Sequence, residues 1–485
     1  MHLNMGYNSG TFGVAVKSAA VFISSRWPRH AGGNCIRSLH PPKAEGIHSG
    51  QHTASPHSSV PHLPHHLHQA HKPKAAETSD PLQILFCGSD EFSCTSLEAL
   101  HKEHIENPAL VRSINVVLRP SKPTGRGYKS LRDPPIRGLA KKLGLQIHEK
   151  DTFTGWSMPS GINLIVAVSF GLFVPPRLLS AAKYGGLNLH PSLLPDLRGP
   201  APLQHTLLTG RTLSGVSLQT LDHKNFDHGM VLAQTPADPK HKDALRVPQD
   251  CTTVDALQAL VAPVAAHMLV HALRAGLHVP PLEERGWAPD PTQRSMLVHA
   301  PKITKKDRQI TLATLRECDN EPPGARGTLS RRQDAIGPLW FWSRDREGAR
   351  KRIIIEELEE MTDDQTPIDR RAMIHEGLPN CRYPDAYDAK THGDNYIHRR
   401  PCLIPFEEGE GSSARPIPSR YLVLWNTAES TGSGDISGEM SRASSQYGLC
   451  LGKYRVLSVK VEGAKAKPAS LALHRFFIHD ARPHT

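Results

Sequence analysis

The chain has 485 residues, 38% of them hydrophobic, with a formal charge of +11, which predicts roughly two to four domains with part of the chain outside any core. Eight scattered cysteines with no C-x-x-C spacing argue against a disulfide scaffold or a thiolate zinc site, and no apolar run is read as approaching the roughly 20 residues of a bilayer span; the expectation is a soluble protein with free thiols and no membrane contact. Residues 1–76 hold seven Lys and Arg against one acid and so carry +6 of the charge, leaving +5 on the rest, a balance that permits a polyanionic partner without establishing one.

Residues 1–39 read as a mitochondrial transit peptide. From residue 11 onward they mix small and apolar residues with Lys17, Arg26, Arg29, Arg37 and serines, and contain no acid. A disordered cytosolic tail, or a mispredicted start codon, is the alternative. Residues 40–80 are rich in Pro, Ser and His (His57, His62, His65, His66, His68, His71); such a stretch buries too little apolar surface to fold and reads as a disordered linker rather than a metal site.

Order is expected from residue 81 to 276. Leu82–Cys87 reads as a buried strand, and Glu91–Leu100 as a helix capped by Ser89 or Asp90. A single Gly88 in place of G-x-G-x-x-G argues against a dinucleotide site. Strands are expected at Asn115–Leu118, Leu145–His148 and Ile162–Ser169, with helices at Asp133–Leu143 and Pro176–Lys183. Strands that are apolar throughout and alternate with helices predict a parallel sheet covered on both faces, with its ligand at the carboxyl ends of the strands. The loop 120–129 carries Lys122, Arg126 and Lys129 among glycines and could reach a phosphate backbone.

The stretch Gly185–Pro202 places Asn188 and His190 two apart on a short strand, hence on one side of it, ahead of a Pro- and Gly-stiffened loop and an apolar helix. Gly215–Leu221 and Met230–Gln234 then read as strands flanking a polar loop, in which Asp227 or Asp222 could be brought beside His190. Cys251–Ala275 reads as a long helix with its apolar stripe on Val254, Leu257, Leu260, Val261, Val264, Met268 and Val270–Leu273.

Four prolines make 277–298 a linker and a domain boundary. In 299–485 strands are expected at Gln309–Leu312, Arg352–Glu357, Tyr421–Trp425 and Gly448–Glu462, with a helix at Ala469–Phe476. Short β-branched strands suggest a small barrel, interrupted by polar inserts near 362–418 and 427–446.

With these residues in view, the chain resembles the methionyl-tRNA formyltransferase family, most nearly its mitochondrial members. The likeness lies in Leu85–Phe92, Pro123–Gly127, Ala167–Leu172, Leu187–Pro195 with Arg198 and Gly199, and Phe226–Gly229, and continues more weakly through His299–Asp307 and Leu339–Trp342. It implies a Rossmann-like α/β parallel-sheet formyltransferase domain followed by a small OB-like β-barrel. It also implies transfer of a formyl group from 10-formyltetrahydrofolate to initiator methionyl-tRNA, without a metal, in the mitochondrial matrix, by a protein expected to be a monomer. By the same resemblance Asn188, His190 and Asp227 are catalytic. The folate lies against Phe170, Gly171, Leu172, Ser192, Leu193, Leu194 and Pro195, and the tRNA meets Arg126, Lys129, Lys302 and Lys305.

The residue types suit that chemistry. An amine attacking a formyl carbon builds negative charge on oxygen, which Asn188 and His190 could meet as donors, while His190 moves a proton and Asp227 orients its ring. A formyltransferase for a small amine such as glycinamide ribonucleotide would share the three residues but has no need of the Arg126 loop. A tRNA-binding protein without chemistry would have no reason to hold them at this spacing.

Overall fold

β1 (Leu82–Gly88) is buried at every position but Gln83 and leads into α1 (Glu91–Glu106), where the Asp90 carboxylate accepts from the Ser93 amide at 3.0 Å and Glu91 adds negative charge to the first turn. This computed structural model describes residues 79–125, 127, 129–319, 326–360, 374–376, 402–407, 420–426, 449–451 and 453–476. The expected transit peptide, the linker up to residue 78, Arg126 and the second insert (427–446) lie outside the described residues.

After α1 come β2 (Val111–Leu118), the exposed strands β3 (Lys122–Thr124) and β4 (Ser130–Arg132), α2 (Pro135–Lys142) and β5 (Gln146–Glu149). The basic stretch read as a loop is therefore an antiparallel hairpin, paired from Lys122↔Arg132 to Thr124↔Ser130. Pro135 opens α2, a position where its missing N–H removes no helical bond. The chain continues through β6 (Leu164–Val168), α3 (Pro176–Ala181), β7 (Gly186–His190), α4 (Pro202–Leu208), β8 (Ser217–Thr220), β9 (Val231–Gln234) and α5 (Val254–Arg274).

These strands form one sheet in the order β5-β2-β1-β6-β7-β8-β9. It is parallel from β5 through β7, as expected, and antiparallel at β8 and β9. The chain lays down β2 and β5 on one side of β1 and then β6 and β7 on the other, so the order reverses between β1 and β6. The carboxyl ends at such a reversal open a crevice, bridged here by the Ser89 hydroxyl donating to the Phe170 carbonyl at 3.4 Å.

α5 covers one face of the sheet. By length and composition it is long and apolar enough to cross a membrane, which corrects the expectation that no run approached that length. Its Leu257, Val261, Ala265, Leu269 and Leu273 are buried in the sheet's core. The expected stripe is also corrected: Ala262, Ala265, Ala266 and Leu269 are buried while Leu260, Val264 and Met268 are only partly so. Small side chains turned toward a neighbouring layer allow close approach, which a pattern weighted toward large apolar residues misses. Arg274 at the end of α5 grips the buried Glu103 of α1, Nε to Oε1 at 2.9 Å with a second bond from Nη2.

Beyond α5 lie α6 (Pro291–Ser295), held by a reciprocal cap between Asp290 and Gln293, then α7 (Leu312–Asp319) and α8 (Thr328–Ile336). The expected strand at Gln309–Leu312 is reduced to one bridge, Gln309↔Trp340, before α7 begins. A second sheet follows from β10 (Leu339–Arg344), β11 (Arg350–Glu360), β12 (Ile374–Glu376), β13 (Cys402–Pro405), β14 (Arg420–Asn426), β15 (Leu449–Leu451), β16 (Tyr454–Val461) and β17 (Lys467–Pro468), capped by α9 (Ala469–Leu473). It runs β10-β11-β16-β15-β14-β12, with β13 also on β14 and β17 on β16; its pairings are antiparallel. The 362–418 segment read as an insert therefore contains two strands, and the single strand expected over Gly448–Glu462 is the hairpin β15–β16. β10 shows the period of a half-buried strand, with Leu339 and Phe341 inward and Trp340 and Trp342 turned out.

Candidate active site

Asn188 and His190 lie at the end of β7, and their side chains reach one carboxylate. Asn188 Nδ2 donates to Asp227 Oδ1 at 3.0 Å, and His190 Nδ1 stands 3.4 Å from the same oxygen. His190 is 5% exposed, and its Nε2 faces the Leu197 carbonyl at 3.0 Å. Both ring nitrogens thus point at oxygens, and donating to both takes a doubly protonated ring.

The Asp227 carboxylate is held from further sides. Gln219 Nε2 donates to Oδ1 at 3.2 Å and the Gly199 amide to Oδ2 at 3.0 Å, while Arg198 Nε donates to the Asp227 carbonyl at 2.7 Å. Asp227 itself has φ 57°, left-handed backbone unusual outside glycine. Asp222, the alternative carboxylate, accepts from the amides of Lys224 and Asn225, an Asx turn that shapes the loop; these backbone donors hold its pKa below the usual carboxylate range.

Gln219 and the Leu197 carbonyl were not singled out from sequence, and Arg198 and Gly199 were named for the likeness they carry but given no role. A signal for Gln219 existed: it lies on β8, which reads as a strand from the sequence, and it sits directly opposite Asn188 of β7. Nothing in the sequence could point to a main-chain carbonyl or amide.

The loop after β7 is braced by polar groups. Ser192 Oγ donates to the Asp196 carbonyl at 2.7 Å, the Leu194 amide donates to Ser217 Oγ at 3.0 Å, and Gln234 Nε2 donates to the Leu194 carbonyl at 2.9 Å. Of the expected folate surface, the Ser192 hydroxyl is thus spent inside the loop and the Leu194 amide on β8. Leu193 and Pro195 are half-buried beside them. Phe170 is buried against Phe153, with ring centres 5.9 Å apart, Leu172 is half-buried, and Gly171 is exposed with φ 74° and open space around it. The Asp90 carboxyl at the end of β1 is pushed up by burial although Ser169 bonds to it.

Of the expected tRNA-contacting residues, Lys129 is exposed beside the β3–β4 hairpin, and Lys302 and Lys305 are exposed in the segment before α7. Arg126 lies outside the described residues.

The formyl transferase family profile matches residues 82–261. The chain is 40% identical over 181 residues to "Methionyl-tRNA formyltransferase, mitochondrial" of Saccharomyces cerevisiae, a match covering 33% of this chain and 45% of that protein. It is 33% identical over 198 residues to the Homo sapiens protein of the same name, covering 40% and 45%. It is 30% identical over 236 residues to "Methionyl-tRNA formyltransferase" of Caldicellulosiruptor saccharolyticus, covering 47% of this chain and 68% of that one. The chain thus spans about half the length of the yeast and human relatives.

Proposed function

The chain belongs to the methionyl-tRNA formyltransferase family, and from that membership we propose that it transfers the formyl group of 10-formyltetrahydrofolate to the amino group of initiator methionyl-tRNA. The observation that carries this reading is the convergence of Asn188 and His190 on the Asp227 carboxylate at the carboxyl edge of the sheet. Bound folate supplies the electrophilic formyl carbon.

The chain's own groups fit the rest of the reaction. Asn188 has one amide hydrogen on Asp227 and a second to offer to the formyl oxygen as charge builds there. Once its Nε2 exchanges the Leu197 carbonyl for substrate, His190 donates to that oxygen or carries the amine's proton toward the leaving nitrogen. Asp227 fixes the ring and stays aligned through Gln219 and Gly199. The open backbone at Gly171 over buried Phe170 and Val174, with Leu172 beside them, suits a flat ring with polar edges; Leu193 and Pro195 would close the other side.

We further read 81–276 as the formyltransferase domain, 277–298 as linker and 299–485 as a tRNA-binding, OB-like barrel. The Glu407 amide bonds the Trp342 carbonyl at 3.1 Å, a bridge that brings the β13 end back to β10 and supports closure. Arg126, Lys129, Lys302 and Lys305 would meet phosphates, so tRNA binding should weaken with salt. The mitochondrial relatives and the acid-free residues 11–39 support work in the mitochondrial matrix after removal of a transit peptide; we read the protein as a monomer.

The test is formylation of methionyl-tRNA by the full chain beside His190→Ala and Asn188→Ala. Each substitution should lower the rate about 10²- to 10³-fold. Wild-type rates in both variants would sink the assignment of the centre.

A further inference from the structure

Residues 197–199 bond both the His190 ring and Asp227: the Leu197 carbonyl to His190 Nε2, Arg198 Nε to the Asp227 carbonyl, and the Gly199 amide to Asp227 Oδ2. The outer edge of this loop is in turn bound to a segment about a hundred residues away. The Leu197 amide donates to the Val298 carbonyl at 2.8 Å, the Ala300 amide to the Arg198 carbonyl at 2.7 Å, and the Ala201 amide to the Ala300 carbonyl at 3.2 Å. Arg198 and His299 form a parallel bridge. The Val298 amide donates to Asp196 Oδ1 at 2.8 Å, and Arg211 pairs with the same carboxylate at 3.2 Å.

Two details indicate that the outer strand sets the inner geometry. Leu197 has φ 56°, a conformation unfavourable for an L-residue, so its carbonyl is aimed at His190 only while something holds it there. At Gly199, φ 120°, an added Cβ would stand 2.5 Å from the Ala300 carbonyl oxygen, so the two segments touch main chain to main chain with no side chain between them.

We propose that Val298–Ala300 is a positioning strand for the formyl-transfer centre and Asp196 its anchoring residue: it locks Leu197–Gly199 in the one arrangement that presents a carbonyl to His190 and an amide to Asp227. This rests on the assignment of the centre made above. Asp196 contacts neither His190 nor Asp227 and acts only through the loop. Lys302 and Lys305 follow the strand by a few residues, so a polyanion held there pulls on the same segment.

The experiment uses the full chain with Asp196→Ala, Asp196→Asn and Val298→Pro, the last deleting the Val298 donor in case Asp196→Ala does not fold. The readouts are kcat and KM for formylation of methionyl-tRNA and the 15N shift of His190 Nε2, assigned by its loss in His190→Asn. Asp196→Ala should lower kcat about tenfold with each KM within about twofold, and move the Nε2 signal toward that of a solvent-exposed ring. Asp196→Asn keeps an acceptor for the Val298 amide and should recover kcat to within about threefold. An unmoved Nε2 signal, or a rise in KM with kcat intact, overturns the proposal. Should wild type fail to formylate methionyl-tRNA, the proposed reaction falls, while the Nε2 shift still decides whether the strand positions His190.

Discussion

His278 gives the chain a stability that depends on pH in a calculable window. Its ring is 2% exposed, meets Ser79 Oγ through Nε2 at 2.9 Å and stands edge-on to Tyr184 at 5.0 Å between centres; its Nδ1 is buried without a partner among the described residues. Burial pushes its pKa down from 6.5 to about 4. Between those values the unfolded chain binds a proton there and the native chain does not, so stability rises with pH across the window: fully present above 6.5, lost as pH falls to about 4. At about 1.4 kcal/mol per pKa unit the site shifts the unfolding free energy by about 3 kcal/mol over that range. His278→Gln retains hydrogen-bonding capacity toward Ser79 and cannot titrate. Urea unfolding of both proteins at intervals from pH 4 to 7.5 should show the difference between them changing by about 3 kcal/mol, since groups common to both, such as the Lys183–Asp80 pair nearby, cancel. Parallel curves would mean that the ring is protonated in the folded protein or reached by water, and the burial argument would be wrong.

Arg274→Ala leaves the Glu103 carboxylate, 2% exposed, with Asn107 as its remaining side-chain partner at 3.1 Å. Because Arg274 is half exposed, the loss should fall near the low end for a broken buried pair, about 3 kcal/mol, read by urea unfolding at pH 7; less than about 1 kcal/mol would show that the carboxylate finds water. That contribution should fade at acid pH, because the Arg274 hydrogen bond holds the Glu103 pKa below the usual range. Gly229→Ala places a Cβ 1.7 Å from the Thr220 carbonyl oxygen, so the loop must move. Its amide bonds Gln219 Oε1 at 3.1 Å, and Gln219 holds Asp227, so formylation should drop at least about tenfold alongside roughly 1–3 kcal/mol of stability; wild-type activity in this variant would mean that Gln219 and the loop are irrelevant to Asp227.

The sequence carried the first sheet well because its strands are short apolar runs with strong punctuation, such as Gly88 closing β1 and Asp90 before α1. It carried Asn188 and His190 because an i, i+2 pair on a strand is a geometric certainty once the strand is granted. It failed where identity depends on distant partners. Gln309–Leu312 reads as β by composition, but Thr311 and Thr314 bond to each other at 3.0 Å and start α7 instead. The 120–129 stretch reads as a loop, with its Gly and Pro, yet the turn residues close a hairpin. The alanine face of α5 was invisible because alanine weighs little in any apolar pattern.

The same limit explains why the candidate site was half legible. The three non-glycine residues with positive φ among the described residues are Ser169, Leu197 and Asp227, and each borders the carboxyl end of β6 or β7. None of them has a local preference for that conformation strong enough to announce it; each is imposed by contacts from elsewhere, Ser169 by Asp90, Leu197 by Val298, and Asp227 by Arg198, Gly199 and Gln219. Local rules give way where tertiary contacts hold strained backbone in place, and such places gather at functional sites. Side chains able to do acid–base and oxyanion work can be read from a sequence, but the carbonyl that aims a histidine and the amide that aims an aspartate belong to the fold, which is why substitutions at Asp196 and Gly229, neither of them in contact with His190, are the sharper tests of how this centre is built.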